Sequence, residues 1–371
     1  MTAVSDLCLA MESIAPAAHA ADWDNVGLLV GRRDAPAANI MLTIDLTSEV
    51  LAEAVTAGVD AIVSYHPPIF SPLKRLDDST ETGRLMLGLI GAGIAVYSPH
   101  TALDAAPGGM TDWLASGLGD GEARPLEHAH EHPPGEANKI VTYVPGEHID
   151  AVRDAMAAAG AGMIGDYSHC STAIDNAGTF LGGDSTNPAT GQRGALEHVA
   201  EKRLMMVCSE RALAGAIAAL REAHPYEEPP VHVIPLASRP MHDSGMGRVI
   251  TLAAPVTTAD LIGRVKAHLG VDQIRVSGEA SASHEVVACC PGAGGSLLGV
   301  AQAAGATAFL TGEMRHHDVL AARAAGVTVL LPGHTNSERG FLPILRDRLA
   351  TALPGGAIIV SSSDESPWSC R

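Results

Sequence analysis

Four short segments of the chain concentrate imidazoles and carboxylates: Ser64–Pro68 (SYHPP), Ser98–Asp104 (SPHTALD), Gly312–Asp318 (GEMRHHD) and Gly333–Glu338 (GHTNSE). Two of them place a His four residues before an acid, His100 with Asp104 and His334 with Glu338. On one helical turn that spacing points both side chains to the same side. Imidazole with carboxylate suits Zn, Fe, Mn or Ni rather than Ca, and one carboxylate can bridge two ions. With 17 His and 42 acidic residues, a lone match arises by chance and then marks a surface pair. Several falling together at predicted strand ends point to a metal site, because open α/β sheets place their sites there.

The elements that must hold these segments follow a βα rhythm. A strand is expected over Ile40–Leu46, then a helix capped by Thr47 and ended by Gly58, a strand over Asp60–Ser64, a helix around Thr82–Ala92 and a strand over Ile94–Ser98. The rhythm returns from about Gly247, with strands over Val249–Ala253, Glu285–Cys290, Ala308–Thr311, Val327–Leu331 and Ala357–Ser361. Helices are expected near Ala259–Leu269, Ser296–Ala304, His317–Ala325 and Ser337–Leu349. Short apolar strands alternating with helices imply parallel sheets covered on both faces, an α/β fold class.

Composition shifts between the two stretches. Glu127–Glu136 (EHAHEHPPGE) reads as a boundary loop and Ala237–Gly247 (ASRPMHDSGMG) as the matching exit. The enclosed order of strand, helix, Gly-rich strand region (Gly160–Gly194), strand, helix and strand suits an inserted ferredoxin-like α+β domain. The expected partition is 1–126 and 246–371 as two halves of one α/β domain, with 127–245 inserted.

Other classes are excluded by the charge and hydropathy. Twenty-four Lys+Arg against 42 Asp+Glu leave a net charge of −18, with no basic cluster to receive nucleic acid or a lipid surface. Gly, Pro, Asp or Glu interrupts every apolar run before it reaches the roughly 18–20 residues of a membrane span. Ala18-His19-Ala20 imitates a cleavage site, but no positive segment precedes it, and Asp6 and Glu12 break the apolar stretch. Six cysteines without CxxC spacing fit a reducing, cytoplasmic setting. No P-loop, dinucleotide fingerprint or Ser/Cys triad is present to carry the chemistry instead of a metal.

The blocks DWDNVGL (Asp22–Leu28), SYHPPIF (Ser64–Phe70), YSPHTALDAAPGGMTDWLA (Tyr97–Ala115), GAGGSLL (Gly292–Leu298), TGEMRHHD (Thr311–Asp318) and GHTNSERGF (Gly333–Phe341) together resemble the signature of the Nif-three-like family, the GTP cyclohydrolase 1 type 2 homologues. In the middle, GAGMIGDYSHCS (Gly160–Ser171), NPATGQRGALEHVAEKRL (Asn187–Leu204) and AHPYEEP (Ala223–Pro229) resemble the PII/CutA-like domain inserted in bacterial members. The resemblance implies a dinuclear centre with His66, Asp104, His334 and Glu338 as ligands and Glu338 as the bridge. His100 and Asn25 fall beside the site. Tyr65 departs from the pattern, standing where many bacterial members carry a His, and is left open as a further ligand. Two divalent ions per subunit, Zn, Fe or Mn, and a homohexamer are further implications.

The function this suggests is a metal-dependent hydrolase, GTP cyclohydrolase-like or phosphoesterase-like, acting on a nucleotide or other phosphorylated small molecule. His316, His317 and Glu313 are the candidate acid/base or substrate-contacting residues. The alternative is a metal- or metabolite-binding regulator whose PII-like insert senses a small effector.

Overall fold

The computed structural model describes residues 2–368, so Cys370 lies outside the described residues. In chain order the strands are β1 (Gly27–Val30), β2 (Asn39–Thr43), β3 (Ala61–Ser64), β4 (Ala95–Ser98), β5 (Gly121–Glu131), β6 (Asn138–Pro145), β7 (Ser171–Leu181) and β8 (Leu196–Cys208). They continue as β9 (Val231–Pro235), β10 (Arg239–Thr257), β11 (Arg275–Ser277), β12 (Ser283–Cys290), β13 (Ala308–Thr311), β14 (Thr328–Leu331) and β15 (Ala357–Val360). The chain divides into two compact units: one runs through Ala129 and resumes at Met241, and the other spans His130–Pro240.

The larger unit is mixed α/β with two sheets. The first has the order β1-β4-β3-β2-β15, parallel except for β1. The second has the order β11-β14-β13-β12-β10-β5, with β12, β13 and β14 parallel. Residues β3 (AIVS), β4 (AVYS), β13 (AFLT) and β14 (TVLL) are buried throughout, as strands covered on both faces must be. Successive side chains feed opposite cores. Ile40, Leu42, Ala61, Val63 and Tyr97 pack with the helices Val4–Ile14 and Leu342–Ala352, whereas Met41, Ile62 and Val96 pack with Ser48–Thr56 and Glu81–Ala92. The second sheet alternates likewise, Cys289 and Leu310 on one side and Cys290 and Phe309 on the other.

Several boundaries depart from the sequence expectation for identifiable reasons. β2 stops at Thr43 instead of Leu46, because the buried Asp364 carboxylate takes the Ile44 N–H at 2.7 Å and Thr43 Oγ1 donates to the Asp45 carbonyl at 2.8 Å. The helix expected over Ser337–Leu349 begins only at Leu342, after the 3₁₀ turns Thr335–Ser337 and Arg339–Phe341. Pro343 lacks an N–H and is accommodated in the first helical turn. The stretches read as boundary loops are largely strand, since β5 reaches Glu131 and β10 starts at Arg239. β5 is a sheet edge, where Pro125 and a charged, exposed face are tolerated.

The smaller unit is a four-stranded antiparallel sheet in the order β7-β8-β6-β9. Ile140, Val144, Leu204 and Met206 face Val152, Met156, Ala216 and Leu220 of the helices Ile149–Ala158 and Glu210–Ala223. Among the described residues no helix is long and apolar enough to cross a membrane.

Candidate metal centre

Within the larger unit, both sheets release their parallel strands toward one group of side chains. β3 runs into Tyr65 and His66, whose N–H groups donate to the Thr43 and Ile44 carbonyls at 2.8 and 3.0 Å and prolong the ladder past the strand. Two buried hydroxyls brace this turn: Ser64 Oγ donates to the His66 carbonyl at 2.7 Å, and Ser98 Oγ, ending β4, to the Tyr65 carbonyl at 2.8 Å. The His66 ring is oriented by Asp45, with Nδ1 2.8 Å from Oδ1. Burial opposes ionisation of Asp45, but the hydrogen bond and charge of His66 outweigh it and hold the carboxyl below the usual range. An ionised carboxylate only accepts, so Nδ1 carries a proton and Nε2 is the nitrogen that would offer a lone pair to a metal once it gives up its own proton.

The second sheet contributes the mirror arrangement. His334 follows β14, and its Nδ1 lies 3.1 Å from Oε1 of Glu313, which follows β13. Glu338 sits between the two 3₁₀ turns, 1% exposed, with Oε1 3.4 Å from His334 Nε2 and Oε2 3.6 Å from His66 Nε2. Ser337 fixes this corner, donating to the His334 carbonyl at 2.6 Å and accepting from the Gly292 N–H at 2.9 Å. Gly292 is required here: at φ +59° a Cβ would lie 2.7 Å from Glu338 Oε1 and 3.1 Å from His334 Nε2.

His66, His334 and Glu338 each offer one ligand atom within 4.8 Å of the others. The residues fit a divalent first-row ion on a further ground, since the buried Glu338 Oε2 has no hydrogen-bond partner among the described residues. A buried carboxylate needs a balancing positive charge. In the protein alone it is sought from His66: burial disfavours the imidazolium, but Asp45 and Glu338 push its pKa up to about 10. A cation between the imidazoles supplies the same charge.

Asp104 lies outside this three-residue group. It is 5% exposed, and its Oδ1 accepts from the Tyr65 hydroxyl at 2.6 Å. Burial raises the Asp104 carboxyl to about 7 against the Tyr65 hydrogen bond and the nearby His100. Burial also raises the Tyr65 phenol well above its ordinary value, reinforced by the Asp104 and Glu338 carboxylates. His100 has a strained backbone, φ +29°, held by Asp24, whose Oδ1 lies 2.8 Å from His100 Nδ1. The His100 ring stands 5.5 Å from those of both His66 and Tyr65. Asn25 reaches the Ile69 carbonyl at 2.6 Å and so braces the loop after His66.

His316 and His317 open the helix His316–Ala324 as exposed residues, their rings 5.5 Å apart, and neither is brought into the cluster. A cleft of about 860 Å³ adjoins the cluster, lined among others by Glu313, His334, Asn336, Arg275, Arg315 and Trp368. Asp45 and Asp24 were not singled out from sequence. Asp45 carried a usable signal, an acid just beyond a strand end, whereas Asp24 meets His100 only through the fold.

Known proteins give the arrangement its place. The sequence model of the Duf34/NIF3 family (NGG1p interacting factor 3) matches residues 2–367. A Bacillus subtilis protein named GTP cyclohydrolase 1 type 2 homolog is 35% identical over 360 residues, 96% of this chain and 95% of its own length. The human NIF3-like protein 1 is 36% identical over 370 residues, 97% of this chain and 90% of its own. The crystal structure of a Bacillus cereus protein related to NIF3 is 30% identical with a TM-score of 0.69, covering 100% of this chain and 99% of that one. A Staphylococcus aureus structure at 23% identity and TM-score 0.79, with the same coverage, shares the fold. Matched along nearly its whole length by that family and by relatives above 30% identity, the chain belongs to the Duf34/NIF3 family.

Proposed function

We propose that the protein is a divalent-metal-dependent hydrolase acting on a nucleotide or another phosphorylated small molecule. The observation that carries this reading is the buried Glu338 carboxylate, whose Oε2 has no hydrogen-bond partner among the described residues and whose two oxygens face two imidazoles with their other nitrogens already committed to carboxylates. His66, His334 and Glu338 would hold one ion; a second would draw on Asp104, beside which Tyr65 lies. Such ions, when bound, lower the pKa of a coordinated water and polarise a phosphoryl or carbonyl oxygen. Asp45 and Glu313 keep the imidazoles in the tautomer that presents Nε2. In the adjoining cleft Arg275 and Arg315 offer positive charge to a phosphate, although Arg315 is shared with Asp318 at 2.9 Å. The names of the relatives point to GTP ring opening. The same donor set serves phosphoester hydrolysis equally well, and His316 and His317 remain candidate substrate contacts outside the cluster.

The smaller unit supports the ferredoxin-like, PII/CutA-like reading through its βαββαβ element order and its strand order β7-β8-β6-β9. Its cavity of about 580 Å³, lined by Tyr143, Phe180, Glu201 and Tyr226 among others, is what the alternative reading as an effector sensor would use. Assembly as a homohexamer belongs to the same family-based proposal.

The test is elemental analysis of protein purified without chelator, for the wild type and Glu338→Gln, followed by a nucleotide and phosphoester hydrolysis screen. Ions retained by the wild type and lost in Glu338→Gln, together with turnover of a phosphorylated substrate, are the expected results. A fully metallated Glu338→Gln protein overturns the assignment of the ligand, and a metallated wild type silent across the screen overturns the hydrolase reading.

A further inference from the structure

Two large aromatic side chains stand in solvent beside the metal cluster. Trp23 is 62% exposed and Phe70 54%, in a chain that has only three Trp and four Phe. Their rings lie 6.0 Å apart at 52°, and both meet His100 edge-on, at 6.1 and 6.5 Å. His100 in turn lies 5.5 Å from His66. A wall of two π-faces therefore borders the donors at a distance of two ring-to-ring steps. Isolated exposed apolar residues need no explanation, but these two exposed rings lie together at the rim of a polar site.

The pair is held in place by its neighbours. Next to Trp23, the Asp24 carboxylate accepts from His100 Nδ1, from the Thr101 N–H at 3.1 Å and from the Thr101 hydroxyl. The following residue, Asn25, donates to the carbonyl of Ile69, which precedes Phe70. Both rings thus project from backbone cross-linked to the site, which lowers the ordering cost of stacking a ligand upon them.

We infer that Trp23 and Phe70 form an aromatic subsite that stacks the planar base of a nucleotide whose phosphate end reaches the His66/His334/Glu338 cluster. The inference rests on the hydrolase reading for the identity of the reacting end, and it narrows the substrate class from phosphorylated molecules in general to those with a planar ring. It also sets the selectivity. Two π-faces read no base edge, and stacking is tolerant of base identity. The subsite accepts adenine and guanine alike instead of selecting guanine.

The test is isothermal titration of the full-length protein, as purified, with GMP, AMP and ribose 5-phosphate. Wild type, Trp23→Ala, Phe70→Ala and Trp23→Phe are compared, with metal content and sedimentation mass read on the same samples. The wild type is expected to bind GMP and AMP within a few-fold of each other and about tenfold or more tighter than ribose 5-phosphate, the range that base–aromatic stacking spans. Trp23→Ala removes most of that preference, Trp23→Phe keeps part of it, and ribose 5-phosphate affinity and metal content stay unchanged. The inference is overturned by equal affinities in the wild type, by no measurable binding of either nucleotide, or by a preference that survives both alanine variants. It is also overturned if Trp23→Ala alters the oligomeric mass without touching the preference, which would make the rings an interface between copies. A metal-free wild type that still prefers nucleotides through Trp23 would remove the hydrolase reading and leave the subsite standing.

Discussion

Replacing Tyr65 by Phe separates two roles this side chain could have at the second metal position. Tyr65 and Asp104 are 2% and 5% exposed, and the hydroxyl donates to Asp104 Oδ1 at 2.6 Å. Removing the donor strands a buried acceptor, at a cost of about 1–3 kcal/mol. Metal-free Tyr65→Phe is therefore expected to be less stable than metal-free wild type by about 2 kcal/mol in denaturant unfolding. An ion at the proposed second position would draw on the Asp104 carboxylate, and at Oδ1 it would compete with the Tyr65 hydroxyl. Deleting that competitor should tighten the second ion by roughly ten- to a hundredfold, since each tenfold corresponds to about 1.4 kcal/mol. The assay is calorimetric titration of Mn²⁺ or Zn²⁺ into chelator-stripped protein, with elemental analysis of stoichiometry and Tyr65→His in parallel. Tyr65→His should hold two ions. A second site that weakens or vanishes in Tyr65→Phe refutes the reasoning, because it would show the phenolate itself to be a ligand.

Gly292→Ala places a Cβ against Glu338 Oε1 and His334 Nε2 at a backbone φ of +59°, so the variant should fold but lose most bound metal; undiminished metal content in the purified variant contradicts this. Glu53 ties down the chain after β15. Burial opposes its ionisation, but the hydroxyls of Ser361 and Ser362 and the N–H groups of Ser362 and Ser363 together outweigh it and lower its pKa to about 2. A depressed folded-state pKa means stability fully present above the unfolded value near 4.5 and lost as pH falls toward 2. Glu53→Gln should therefore cost roughly 1–2 kcal/mol at pH 7, after allowance for solvent screening, and almost nothing near pH 2. Urea midpoints across that interval measure it, and a cost independent of pH would contradict it.

Much of the frame was legible in the sequence because it is local. Four-residue apolar runs such as those of β3, β13 and β14 can be buried on both faces only in a covered sheet, and the residues just past each such strand lie at the C-terminal end of its own sheet by topology alone. His66, His334, Glu338, Glu313 and His100 are therefore visible as candidates before any fold is known. Less local features misled the reading. Glu127–Glu131 looks like loop by composition yet pairs as an edge strand, and the His334–Glu338 spacing suggests a helical turn where 3₁₀ geometry is used.

What the tertiary structure decided is which of these groups converge and which partners hold them. Asp45 turns His66 toward the cluster only because Asp364, some 320 residues along the chain, pins the Ile44 and Asp45 N–H groups. Asp24 meets His100 across 76 positions, Tyr65 meets Asp104 across 39, and Trp23 and Phe70 come together beside His100. His316 and His317, as eligible by type as His334, stay at the surface. Sequence spacing sets the direction of a side chain relative to its own strand or turn. The approach of two side chains from different strands depends on how the sheets pack, and only the folded chain holds that information.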